Sequence, residues 1–452
     1  MKKTIIAASV AAAISGLLII GTSNADSKNH QFTKFKELSE SANSAEWNPS
    51  APWKLPKGFT QTVVSDETAL NIYDGGRDDW HDMNTVNETG KNAGRYLYRT
   101  HELRFPGNQP EGGTVSVVDL ETGETSILVQ DISYDALDGI RWTPWGTILF
   151  AEEKSAGRLF EIQLDENDLT KAVAVIERPA VGLLAHEGID IDKDGNVYIV
   201  DEYRGRSETR VERGNTCSGT VPCGGGVYKF VPDNYGDLSS GSLFVLKVNG
   251  PDGTGQGEWV GPIDAFNARA SGTEFGGQSY QRPEDLEVIG NTLYVAVTEG
   301  PRDETGKEFY EGRVLSIDLD NLAVANFIKP GVNVAIEIGK PGEEGHQSGF
   351  DSVDNLAETP DGRLIVVEDN KPSDIWVAST KTNDFGAAKE VKLFASLSDP
   401  SAEGTGIYFS PQDPHTLFVN IQHSENEDGD GTWAITRKKG YQEYNGKKKK
   451  DD

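Results

Sequence analysis

Apolar and polar positions alternate in short bursts along most of the chain, and one burst recurs. In Asp138-Gly-Ile-Arg-Trp-Thr-Pro-Trp-Gly-Thr-Ile-Leu-Phe-Ala-Glu152, a polar start leads into a short apolar strand, a turn, and a second β-rich strand ending on a carboxylate. The same order runs from Glu187 to Glu202, Glu284 to Glu299 and Asp354 to Glu368, with looser copies from Asp82 to Glu102 and Glu403 to His423. Several of the turns carry Asp-Gly or Pro-Asp-Gly, a hairpin signal. Further strands follow at 157–164, 225–230 and 312–318. Six such units predict an all-β chain, a six-bladed β-propeller over residues 57–440. At roughly 70 residues per unit, against ~40–50 in common propeller repeats, long inter-strand insertions are expected, the longest from Glu208 to Gln281.

Composition narrows the partners. Fifty glycines and two methionines among 452 residues suit short strands and tight turns better than a helical bundle. A net charge of −29, from 72 acidic and 43 basic residues, argues against nucleic acid and against anionic membranes as partners. Lys2 and Lys3, the apolar run from Ile5 to Ile20 and Ser23-Asn24-Ala25 predict a signal peptide over residues 1–25. No twin arginine precedes the apolar run, so a Sec-type route to the periplasm or exterior is expected, with any metal acquired there. Residues 26–56 read as a polar, mobile leader and 441–452 as a basic, polar tail. In an oxidising compartment Cys217 and Cys223 are expected to close a small disulfide loop.

The repeat gives the candidate chemistry. A residue at a fixed position on the innermost strand of every blade is delivered to one ring around the axis. Here that position is acidic: Asp138, Glu187, Glu284, Asp354 and Glu403, with Glu102, Glu152, Glu202, Glu299 and Glu368 at the end of the following strand. Carboxylates converging in a narrow funnel repel and raise one another's pKa unless cations neutralise them. Oxygen donors in this number suit hard cations such as calcium, and iron or manganese could also be held. Asp194 and Asp361 belong to Asp-Gly turns, and the run Asp190-x-Asp192-x-Asp194-Gly195 lacks the flanking helices of an EF-hand. No Gly-x-Ser-x-Gly elbow, Walker A loop or His-Glu-x-x-His helix is present, and His101, His186 and His423 read as channel residues.

Several of these segments resemble the PhoX-type alkaline phosphatases, exported metal-dependent phosphomonoesterases on a six-bladed propeller. The resemblance rests on Thr143-Pro144-Trp145-Gly146-Thr147 leading to Glu152-Glu153, His186-Glu187, Arg282-Pro283-Glu284-Asp285, Asp354-Asn355-Leu356, and Thr416 to His423, from about residue 140 to 425. It implies a phosphate ester held between metal ions at the channel mouth. Arg282, Glu284 and Glu187 take the catalytic positions, and Glu102, Glu152, Glu153, Glu187, Glu284, Asp285, Asp354, Asn355 and Glu403 the metal positions. Where the family pattern places Cys before the Glu-Glu pair, this chain has Ala151. That substitution makes iron doubtful and favours calcium, alone or with another hard metal. The expected function is an exported phosphatase acting, as a monomer, on a small-molecule phosphate monoester. A calcium-dependent lactonase or arylesterase, and a non-catalytic calcium-stabilised binding propeller, remain open at this point.

Overall fold

The computed structural model describes residues 32–70, 79–104, 112–205, 224–298, 312–426 and 428–438. The expected signal peptide, Cys217, Cys223, Glu299 and the tail 441–452 lie outside the described residues. The described backbone is strand and turn, with one seven-residue α-helix, Ala268–Glu274, among the described residues. Among those residues no helix is long and apolar enough to cross a membrane.

Each repeat begins on a short strand: β1 (His81–Val86), β2 (Leu137–Trp142), β3 (His186–Ile191), β4 (Pro283–Ile289), β5 (Val353–Glu358) and β6 (Glu403–Phe409). From each of these, antiparallel strands step outward. β1, for example, pairs with Tyr96–His101, which pairs with Gly113–Asp119 and then Glu124–Asp131. β1 packs on β2, β2 on β3, and so on to β6, which packs back on β1, so the six first strands close a ring. The long insertion after β3 supplies Asp237–Asn249 and Gly255–Ile263. The latter reaches across to Ala323–Ile328, so the sheets starting at β3 and β4 merge into one of nine strands.

The second strands explain why simple alternation fades in their sequences. Ile148-Leu149-Phe150-Ala151 is apolar throughout because both faces are buried. Ile148 and Phe150 pack with Tyr98, Val117 and Trp142, whereas Leu149 and Ala151 pack with Val197, Ile199 and Phe230 of the next sheet. The ring is clasped by the chain's own two ends: Phe59–Asp66 pairs along Gly431–Arg437, completing the sheet that starts at β6.

The segment read as a polar leader packs against this clasp from Phe32 onward. Phe32 is fully buried, its ring 4.7–5.2 Å from those of Phe59, Phe394 and Phe409, and Phe35 and Trp53 are buried in the same cluster. Three aromatic residues in an otherwise polar stretch suffice to anchor it, since each buries a large apolar area. Phe32→Ala should therefore lower the unfolding free energy by about 3 kcal/mol, read as an earlier urea midpoint at unchanged slope.

Candidate metal and phosphate site

The second residue of β1 to β5 and the first of β6 are all acidic: Asp82, Asp138, Glu187, Glu284, Asp354 and Glu403. All six line one cavity of about 370 Å³ at the end of the ring where these strands begin. A second tier comes from the residue just past the following strand: Glu102, Glu153, Glu202, Asp369 and His423. Backbone bonds fix four of this tier. The N–H of Glu102 donates to Trp80 O (3.0 Å), Glu153 to Ala136 O (2.7 Å), Glu202 to Ala185 O (2.8 Å) and Asp369 to Ser352 O (2.7 Å). Each bond ties a second-tier acid to the residue that leads into, or lies just before, the inner strand.

Two groups of three carboxylates have oxygens mutually within 4.8 Å: Glu153, Glu187 and Glu202, and Glu187, Glu284 and Asp354. Glu187 belongs to both. Burial pushes the carboxyls of Glu187, Glu284, Asp138 and Asp354 well above the usual range, with neighbouring acids adding to the effect at all four and Arg282 opposing it at Glu284 and Asp354. Burial raises Asp82 and Glu202 to about 8. Glu403 is also raised by burial, and then by its hydrogen bond to Asp369.

Three guanidinium groups reach into the same cavity, those of Arg104, Arg204 and Arg282. Arg282 Nε lies 2.6 Å from Glu202 Oε1 and 2.5 Å from Glu284 Oε1, while its NH1 donates to Asp369 Oδ2 at 3.1 Å. Its backbone has φ 58°, a left-handed conformation rare for a residue with a side chain. Arg104 pairs with Glu102 and with Glu153 Oε2, the latter at 2.5 Å. At the rim His423 Nε2 lies 3.4 Å from Glu403 Oε1, and its ring packs edge-on against Trp80.

The structure brings together Arg282, Glu284, Glu187, Glu102, Glu153, Asp138, Glu202, Asp354 and Glu403 from the sequence-derived set, but places Glu152, Glu368, Asp285 and Asn355 elsewhere. Glu152 is one residue short of the cavity tier, and alternation of side chains turns it to the opposite face. There Arg158 Nε (2.9 Å) and Lys154 Nζ (3.1 Å) engage it and, against the cost of burial, hold it below the ordinary carboxylate range. Glu368 is turned away in the same manner, accepting from Asp351 N and Trp376 Nε1, both at 2.8 Å. Asp285 spends its carboxylate on backbone N–H groups, Leu286 (2.7 Å) and Leu356 (2.8 Å), and Asn355 accepts from Gly406 N at 2.5 Å. His186 is buried with Nε2 against Gly182 O, and His101 is buried on the far side of its strand.

Missed by sequence reasoning were Asp82, Asp369, Arg104 and Arg204. The signals were present: Asp82 opens the loosest repeat, Asp369 follows Glu368, and both arginines stand two residues after a second-tier glutamate.

Comparisons with known proteins bear on the fold and the family. No curated protein sequence matches the chain. The family model described as alkaline phosphatase PhoX matches residues 156–425. Among solved structures, Pseudomonas fluorescens PhoX in complex with vanadate, a transition state analogue, is similar with TM-score 0.60 and 18% identity over 89% of this chain and 98% of that one. Also similar, at TM-scores below 0.5, are a Thermus thermophilus putative oxidoreductase (glucose dehydrogenase) (0.45, 13% identity, 84% of this chain and 100% of that) and the calcium structure of a Trichoderma reesei carbohydrate-active enzyme of family AA12 (0.47, 10% identity, 86% and 98%). With more than half of its length matched by the family model, the chain belongs to the PhoX alkaline phosphatase family and is a phosphoric ester hydrolase.

Proposed function

We propose that this chain is an exported phosphomonoesterase on a six-bladed propeller, with calcium held by the mouth carboxylates and the phosphate group seated against the arginines. The observation that carries the reading is the pair of three-carboxylate groups sharing Glu187, set beside Arg282 in one cavity. The closed ring of six first strands supports the blade count, and the apolar run ending before Asp26 supports export.

The donor set fits hard cations. Ten carboxylates, Thr405 and Gln422 offer oxygen, and the imidazole of His423 is the one nitrogen ligand among the described lining residues. Asp138 Oδ1 is buried without a hydrogen-bond partner, an arrangement a bound cation would satisfy. Ala151, at the position of the expected thiolate, sits in an apolar cluster, so no sulfur ligand faces the cavity there. Calcium takes several carboxylate oxygens in flexible geometry, which suits this cage better than a metal demanding sulfur or several nitrogens.

Residue roles follow from placement. Glu187, Glu284 and Asp354, with Glu153 and Glu202, would hold the cations, which supply charge neutralisation and Lewis acidity to the phosphoryl group. Arg282 presents a planar, permanently charged fork matched to two phosphoryl oxygens. Arg104 and Arg204 extend that surface. His423, at the rim between Glu403 and Glu102, is placed to carry a proton to the departing oxygen from Nε2.

Chelation with EDTA should abolish hydrolysis of p-nitrophenyl phosphate, and calcium should restore it; activity surviving chelation, or appearing instead on a lactone or p-nitrophenyl acetate, would overturn the reading. Glu187→Gln removes the ligand shared by both groups and should leave under about 1% of wild-type kcat, while Arg282→Lys keeps the charge without the fork and should lower kcat/KM by about 100-fold.

Stability should depend on pH with opposite sense in the two forms. Nine of the ten mouth carboxyls, Asp369 excepted, have folded-state pKa values raised above their unfolded ones, so without cations these nine favour the folded state fully only below the unfolded carboxylate range. That contribution is lost as pH rises toward and through about 8, the value for Asp82 and Glu202. The chelated protein should therefore melt progressively earlier from pH 5 to pH 8.5, and the calcium-loaded protein should not, giving a Tm difference that widens with pH in scanning calorimetry.

A further inference from the structure

Behind the cavity wall, on the opposite face of the same strands, lies a cluster of different chemistry. Asp79, His81 and His101 are each fully buried, and their ligand atoms lie within 4.8 Å of one another. The two imidazole rings, cross-strand neighbours in the ladder between β1 and Tyr96–His101, have centroids 4.7 Å apart. Both ring nitrogens of His81 and both carboxylate oxygens of Asp79 are without hydrogen-bond partners. His101 is oriented by Asp79 O at Nδ1 (2.7 Å) and Ser116 Oγ at Nε2 (2.8 Å).

Four orphaned polar atoms buried together are costly: each buried, unpaired group forfeits about 1–3 kcal/mol. We propose that Asp79, His81 and His101 form a second metal site, which takes a borderline dication of the zinc type. Two imidazoles and one carboxylate are a donor set for zinc, cobalt or iron(II), not for the oxygen-seeking ions suited to the mouth. The Asp79 carbonyl at His101 Nδ1 is the outer partner that a ligating histidine commonly has, which leaves Nε2, in place of its Ser116 contact, as the nitrogen that would ligate. The nearby guanidinium of Arg99 opposes a cation, but the carboxylates of Glu67 and Asp430 lie close by as counter-charges, and Arg99 directs Nε to Ser116 Oγ (3.1 Å) and Nη1 to Thr432 Oγ1 (3.0 Å), its Nη2 being a further buried atom without a partner.

The site would act by position. Trp80 and Asp82 flank His81, and Glu102 follows His101, so an ion joining the entry of β1 to its neighbour fixes three residues of the cavity wall from behind. It touches neither substrate nor the mouth cations.

The test uses the full-length protein, stripped of metal and reloaded with calcium so that the mouth is filled, then titrated with Co²⁺. One equivalent should bind with a visible d–d band, zinc should displace it, and the band should be lost in His81→Gln yet kept in Glu284→Gln. No band in the wild type, a band surviving in His81→Gln, or its loss in Glu284→Gln would overturn the site. Should His81→Gln fail to give a native circular dichroism spectrum, X-ray absorption on the cobalt-loaded wild type decides: two imidazole scatterers support the site, and an oxygen-only shell overturns it.

Discussion

Mutual repulsion among buried carboxylates governs this protein. Six first strands deliver one acid each to a single cavity, and the following strands add four more. Two unit charges about 5 Å apart interact by roughly 3 kcal/mol even at an effective dielectric of about 20. Several such pairs together rival the ~5–15 kcal/mol that hold a domain folded. The cavity therefore has to hold either protons or cations. Cations also resolve the paradox of a chain with net charge −29 acting on an anionic ester, because the local field at the mouth is set by what the acids bind.

Holding the acids so close requires that the strands beneath them do not spread, and the residues next to the acids see to this. In β2 to β5 the position after the cavity acid is a seam between neighbouring first strands. Gly139 and Gly188 leave no side chain there: a Cβ on Gly139 would lie 1.9 Å from Glu187 O, and one on Gly188 2.2 Å from Asp285 Oδ1. Asp285 and Asn355 occupy the same position in β4 and β5 and instead bond the backbone of the next strand, at Leu356 N and Gly406 N. Asp190 acts likewise two residues further along β3, accepting from Val288 N at 2.6 Å and pairing with Arg141. Adjacent acids in sequence thus have opposite tasks, one facing the cavity and one sewing the wall.

That division explains how far the sequence could be read. The repeated hairpin and its opening acid were legible because period and polarity recur together, and from them came the all-β fold and the placement of Glu187, Glu284, Asp354 and Glu403. The choice within an adjacent acidic pair was not legible, since Glu152-Glu153, Glu284-Asp285 and Glu368-Asp369 differ only in which face alternation gives them, and one residue of register reverses that. The anchoring of residues 32–56 was hidden for another reason: three aromatic side chains carry it, and composition averaged over the stretch registers only its polarity. Buried His81 left no mark on the pattern and His101 read as a channel residue, because the face a strand histidine takes is not visible until both strands are in place.

Arg282 links the electrostatics to the chemistry. Its guanidinium is shared among Glu202, Glu284 and Asp369, acids that come from three successive repeats. A phosphate competing for that fork would have to displace carboxylates that are themselves ligands in waiting. On the proposed reading, cations claiming Glu202 and Glu284 would leave Asp369 as the fork's remaining partner and open its other edge to phosphoryl oxygens, so the cations and the substrate would assist one another. The left-handed backbone at Arg282 (φ 58°) recurs at Trp80, Ala136 and Ser352, the residues immediately before β1, β2 and β5, so it belongs to the turn that enters each of these strands and the repeat itself sets where the Arg282 side chain starts.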